Sequence, residues 1–311
     1  MKNTYSVSKL LMSLLGIMLA VQSCIKPDMD DCDPHNVKVV IQSHTEASRS
    51  VADPEIENAT LYLFDQSGVF VDAATFSSYT PGRPYEAEFN LAPGFYKFVV
   101  WTNTGQTYTT THSVEDCHGQ KPQWNDMTLA FNYTAGSSIT EDLPDLHHGH
   151  LAGAEVKTNT NHLFPITLIP NTYRVNFIVK GLTATTDDYA FEVRDDNSHY
   201  DFENSIIAGK DEFCHLRNTR FSDDELAASM TVLRLTDGRA PQFDFTNTTT
   251  SETLYSADLV DMIRRAYQKA GQTLDFNTQF EFTLILRFDA QLGVTVSIPG
   301  WDYIPNPGEI D

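Results

Sequence analysis

Apolar and polar residues alternate with a period of two through most of the chain, the spacing of a half-buried β-strand. Val37-Lys38-Val39-Val40-Ile41 opens the pattern. Ala59 to Phe64 and Val69 to Val71 flank Asp65-Gln66-Ser67-Gly68, which predicts a hairpin with a polar turn ending in glycine. Glu86 to Leu91 and Phe95 to Trp101 predict a second pair across Ala92-Pro93-Gly94, and Met127 to Phe131 a further strand. From Gly136 to Asn161 the chain is polar and aperiodic, and the later part of that stretch is the expected boundary between two domains. Strand patterns resume at Phe164 to Ile169, Tyr173 to Val179, Tyr189 to Val193 and Thr231 to Leu235. The clearest is Phe280 to Phe288, whose Phe280, Phe282, Leu284, Leu286 and Phe288 share one face and so predict core. Val294 to Ile298 is its expected partner across Asp289 to Gly293. Many short strands separated by turn signals predict β-sandwiches.

Helical spacing occurs once. Leu259, Ile263, Ala266, Tyr267 and Ala270 fall on one side of a predicted helix, with Ser256 as its N-cap, Asp258 in the first turn and Gly271 as its stop. A different apolar pattern stands at the N-terminus. Lys2 and Lys9 precede the uncharged run Leu10 to Val21, which has the length of a signal-peptide core and falls short of the roughly 20 residues of a spanning helix. It ends in Val21-Gln22-Ser23-Cys24, which resembles a lipobox. That resemblance implies cleavage before Cys24 and lipidation of its thiol, with acyl chains holding the protein on a bilayer. The acidic run Asp28-Met29-Asp30-Asp31-Cys32-Asp33 predicts a solvated tether and is similar to the signals that send Bacteroides-type lipoproteins to the cell exterior. The expected division is therefore a signal peptide at 1–23, a tether at 24–35, and sandwiches at 36–158 and 159–311.

Composition narrows the function. A formal charge of −21 over 311 residues argues against a nucleic-acid partner, since polyanion binding needs a basic surface. With Cys24 lipidated, three cysteines remain, and Cys32–Cys117 is the preferred pair over the alternatives involving Cys214. No GxSxG, HExxH, P-loop or GxGxxG pattern is present, and no cofactor, substrate or catalytic residue is assigned. His147, His148 and His150 form the single cluster with a metal-binding spacing, with Asp142 or Asp145 as further ligand, but the simpler expectation is a histidine-rich surface loop. Trp101 and Trp301 are expected to pack in the interior, and Trp124, in Lys121-Pro122-Gln123-Trp124-Asn125-Asp126, to be exposed.

Several segments taken in order resemble the Bacteroides-type fimbrial anchoring subunits. They are LYLFDQSGVFV at 61–71, LAPGFYKFVVWTN at 91–103, HHGHL at 147–151, LIPNTYRVNFIVKGL at 168–182, TVLRLTDG at 231–238 and VSIPGW at 296–301. The resemblance implies two tandem transthyretin-like β-sandwich domains, an all-β fold with one short helix in the second, and a surface-exposed place on the outer membrane at the base of a type V fimbrium. It also implies a stalk fimbrillin as partner, joined by strand addition, with main-chain hydrogen bonds and alternate side chains making the joint. Fimbrial tip subunits share the fold, and a surface lipoprotein that binds glycan or a host protein is the remaining alternative. Pro305 and Pro307 argue against a long donor strand after Trp301, so a strand given to the stalk lies at 294–298, or the chain accepts one instead.

Overall fold

A computed structural model describes residues 36–43, 56–77, 83–222 and 225–300. The signal-like run, Cys24, the tether with Cys32, Trp301 and the proline-containing end lie outside the described residues. The first half holds β1 (Val37–Ser43), β2 (Asn58–Asp65), β3 (Phe70–Ser77), β4 (Tyr85–Phe89), β5 (Gly94–Thr102), β6 (Tyr108–Thr110), helix α1 (Val114–Gln120), β7 (Thr128–Phe131), β8 (Ser138–Ile139), β9 (His147–Val156) and β10 (His162–Pro170). Seven strands pair in the order β3-β2-β5-β9-β10-β1-β4. The ribbon turns over between β9 and β10, which pair only at Ile169↔His148 and Pro170↔His147. Its inner faces then enclose one core, in which Val37, Val39 and Ile41 of β1 meet Leu61 and Leu63 of β2, Phe98 and Val100 of β5, and Ile166 and Leu168 of β10.

The β2–β3 hairpin forms as the sequence predicts. Asp65 Oδ1 accepts from the Ser67 and Val69 backbone N–H groups, and Gly68 takes φ +83°, which closes the turn. Four expectations change. A helix, α1, stands in the first half, where no helix is expected, and Ser113 and Asp116 cap it reciprocally. β4 and β5 do not pair; β4 joins β1 and β5 joins β2 and β9, so Ala92-Pro93-Gly94 carries the chain between layers. Residues 147–156, expected as boundary, are a strand running alongside β5. The strand at 162–170 pairs with β1 and so belongs to the first sheet, and the boundary at 158/159 cuts through that sheet; the chain leaves it at Asn171. Composition misled here because β9 gives buried positions to His147, His148 and Gly149 and leaves His150, Ala152, Gly153 and Glu155 exposed, so no apolar alternation marks it.

The second half holds β11 (Thr172–Lys180), β12 (Asp188–Asp195), β13 (His199–Asp201), β14 (Phe213–Arg220), β15 (Leu226–Leu233), β16 (Gln242–Asn247), β17 (Glu252–Asp258), helix α2 (Leu259–Lys269), β18 (Glu281–Phe288) and β19 (Val294–Ser297). Its sheets, β15-β11-β18-β19 and β17-β16-β12-β14-β8, face one another across a core. The alternating face of β18 is buried as predicted, with Phe282, Leu284 and Leu286 wholly enclosed. β19 pairs antiparallel with β18 at a sheet edge, and Val294 and Val296 pack on the same core. Ser256 does not cap the helix. β17 runs on to Asp258, whose side chain accepts from the Asp261 N–H, while the Ser256 hydroxyl donates to Asp244 across the sheet.

The two sandwiches interlock. β8, from the first half, adds to the edge of β14 in the second, and β13, from the second, pairs with β7 in the first. A third core lies between them: Tyr62, Phe64, Val99 and Trp101 on the outer faces of β2 and β5 pack with Cys117, Trp124, Tyr200, Phe202, Phe213 and Leu233. β2 and β5 are therefore buried on both faces, which is why LYLF and FVVW read as nearly continuous apolar runs.

Candidate functional site

The position of β1 is the feature with most bearing on function. It is the leading strand of the described chain, yet it occupies the interior of a sheet, parallel to β10 from Val37↔His162 to Ser43↔Leu168 and antiparallel to β4 from Val37↔Phe89 to Ile41↔Tyr85. Asn36 clamps its entrance. Its Nδ2 donates to the Leu91 carbonyl at 2.7 Å, its Oδ1 accepts from the Leu91 N–H at 2.8 Å, and its own carbonyl accepts from the His162 N–H at 2.9 Å. On the outer face Lys38 pairs with Glu86 at 2.7 Å, an exposed ion pair of little energetic weight. Taking β1 away would leave two rows of unpaired backbone groups and uncover Tyr85, Ala87, Phe89, Ile166 and Leu168. Such a slot is the complement that an added strand needs.

The second feature is the joint between sandwiches. Strand alternation along β9 sends His147 to one face and His148 and His150 to the other, with the latter rings 5.5 Å apart. The three histidines therefore do not converge, and no group of three metal-ligating side chains occurs among the described residues. His147 and His148 are buried rather than in a surface loop. His148 Nε2 lies 3.2 Å from the Phe202 carbonyl, its ring is tilted 53° to that of Trp101 with centroids 4.5 Å apart, and burial pushes its pKa down to about 3. Gly149 between them is steric: a Cβ there would come within 2.8 Å of Ile166 Cγ2 and 3.0 Å of the Thr167 carbonyl, at the corner where β9 meets β10.

Asn171, fully buried at the crossing from β10 to β11, exchanges side-chain hydrogen bonds with Asn204, and its N–H donates to the Leu146 carbonyl at 2.6 Å. Neither Asn36 nor Asn171 was singled out by residue type; the available signal was an asparagine immediately before a strand pattern (His35-Asn36-Val37 and Pro170-Asn171-Thr172). Trp124 is buried, against expectation. It sits in a single 3-10 turn, edge-on to Phe64 at 5.2 Å, with the Lys97 ammonium 4.6 Å over its ring, so the polar residues around it face water and the indole faces the shared core. Trp101 is wholly enclosed, as expected. Cys117, on the buried side of α1, has its thiol pushed up to about 11 by burial, and neither it nor Cys214 forms a disulfide among the described residues; the expected partner of Cys117, Cys32, lies outside them.

The same overall fold is found in solved proteins of Bacteroides and Porphyromonas. The sequence model for fimbrillin-A associated anchor proteins Mfa1 and Mfa2 matches residues 29–306, and the chain belongs to that family. It is thus a fimbrial protein with an all-β fold, associated with a fimbrium and with fimbrial subunits as partners. The fimbrial anchor protein Mfa2 from Porphyromonas gingivalis is 16% identical with a TM-score of 0.63, the match covering 85% of this chain and 98% of that one. A protein from Bacteroides thetaiotaomicron, described as a candidate polysaccharide-binding protein, is 19% identical with a TM-score of 0.69, covering 85% and 96%. A candidate adhesin from Bacteroides ovatus is 16% identical with a TM-score of 0.65, covering 85% and 93%. At these identities the structural likeness is one of fold. No curated protein matches the chain in sequence.

Proposed function

We propose that the protein anchors, and thereby terminates, a type V fimbrium at the outer membrane, held by lipid on Cys24 and joined by strand addition to a stalk fimbrillin. The observation that carries this reading is β1. It begins 13 residues after Cys24, and it fills an interior slot of the first sandwich with the chain's own backbone. A tether of that length reaches at most about 45 Å, so the folded body stays close to the bilayer. A subunit whose leading strand is both tethered and in place offers no vacancy there for a neighbour's strand. The stalk therefore joins at another edge, and growth ends on this side. The protein is a structural partner of the stalk and turns over no substrate in this reading.

Deletion of the gene tests it. Fimbriae should still assemble but be shed into the medium, and their lengths should spread. Firmly attached fimbriae of normal length in the deletion strain would overturn the anchor reading and leave the fimbrial tip as the alternative.

A further inference from the structure

The sandwiches leave a cleft of about 480 Å³ between them. His148 and His150 of β9 form one wall, Asn204 and Ser205 after β13 another, and Arg234 and Thr236 after β15 the third. The charges around it are not balanced. Glu203, an exposed lining residue, lies 3.9 Å from the Lys97 ammonium, and Arg239 is held by Asp195 and Asp196. Arg234 is half-buried, and its Nη1 donates to the Asn204 carbonyl at 2.6 Å, a neutral acceptor. Among the described ion pairs no carboxylate falls to Arg234, in a chain of net charge −21. A guanidinium withdrawn from water without a counter-charge is suited to a carboxylate brought from outside, which its planar fork can hold with two parallel hydrogen bonds. The remaining polar wall is amide and hydroxyl, from Asn204, Ser205 and Thr236, which pair with neutral hydroxyl groups. The exposed His150 ring and the aliphatic side chain of Ile169 add a flat, less polar face. The volume is that of a small-ligand site, roughly 300–1,000 Å³.

We propose that this cleft binds a carboxylate-bearing sugar, the acidic residue of a glycan, with Arg234 on the carboxylate and Asn204, Ser205 and Thr236 on the ring hydroxyls. This is independent of how the protein is anchored. The test is calorimetric titration of the detergent-solubilised full chain with glucuronate and with N-acetylneuraminate. Glucose, N-acetylglucosamine, acetate and a short glutamate-rich peptide serve as comparators. At least one sugar acid should bind tenfold or more tightly than the neutral sugars and acetate, and Arg234→Gln should weaken it tenfold or more, as loss of a charged hydrogen bond does. His150→Glu, on the exposed wall, should weaken it similarly by repulsion while leaving the melting curve unchanged, so the result stands even if Arg234→Gln misfolds. The proposal is overturned if neither sugar acid binds at about 10 mM. It is likewise overturned if acetate or the peptide binds as tightly as the sugar acids, or if His150→Glu leaves sugar-acid affinity unchanged.

Discussion

At the scale of single residues, the histidines show how far composition can mislead. His147, His148 and His150 read as a metal cluster or a surface loop, yet two are interior, and the strand period that separates them is visible only once 147–156 is known to be extended. His215 is buried as well, beside Arg217 and Asp142, and like His148 it is pushed from 6.5 down to about 3, first by burial. The sign of the consequence is fixed. Between pH 6.5 and about 3 the unfolded chain takes a proton on each ring and the folded protein does not, so this stability is full above pH 6.5 and is lost as the pH falls. Each ring contributes at most about 1.4 kcal/mol per pH unit to that slope. Urea unfolding at pH 7, 6 and 5 should show the decline, and the double variant His148→Gln, His215→Gln should flatten it. An equal decline in the variant would mean that other groups govern the acid limb. Trp124 misled in the opposite way from the histidines. Its neighbours Lys121, Gln123, Asn125 and Asp126 are exposed, and no periodicity is defined over one 3-10 turn.

At the scale of elements, strands with one wet face were legible and strands with unusual surroundings were not. β11 and β18 follow their alternation, because a half-buried strand writes its geometry into every second residue. Pairing was less accessible. The apolar content of β4 and β5 is the same whether they pair with each other or sit in opposite layers, and only long-range contacts decide. The joint between the sandwiches was hidden for a similar reason, since its apolar core is assembled from strand faces far apart in sequence and its polar link is a pair of amides. Asn171→Ala removes the reciprocal bonds with Asn204 and leaves that half-buried amide without its partner, so it should destabilise the protein by about 1–3 kcal/mol. Thermal melting gives the loss, and limited proteolysis should show earlier cleavage around the joint. A melting temperature within error of the parent would show that water replaces the pair at no cost.

At the scale of the whole molecule, family and fold were readable because several weak segments occur in register, each for a physical reason the structure supplies: a turn at 65–68, doubly buried strands at 61–64 and 98–101, and a steric glycine at 149. The mode of attachment rests on the lipobox resemblance, and it has a direct check. Cys24→Ala should abolish acylation and release the protein from the membrane fraction, since no helix among the described residues is long and apolar enough to cross a bilayer. Metabolic labelling with a palmitate analogue, followed by fractionation, measures both, and full retention of label would exclude lipid at that cysteine. If the chain is held there, β1 acquires a mechanical meaning. Tension on the body then reaches the tether along the axis of β1, which is bonded on both sides over nearly its whole length. Pulling in that direction shears the two ladders at once instead of unzipping them bond by bond, and survival under tension is set by the rate of that rupture rather than by equilibrium stability. The same strand that closes the first sandwich would thus act as its rivet, resisting flow and drag where a peripheral strand would peel away.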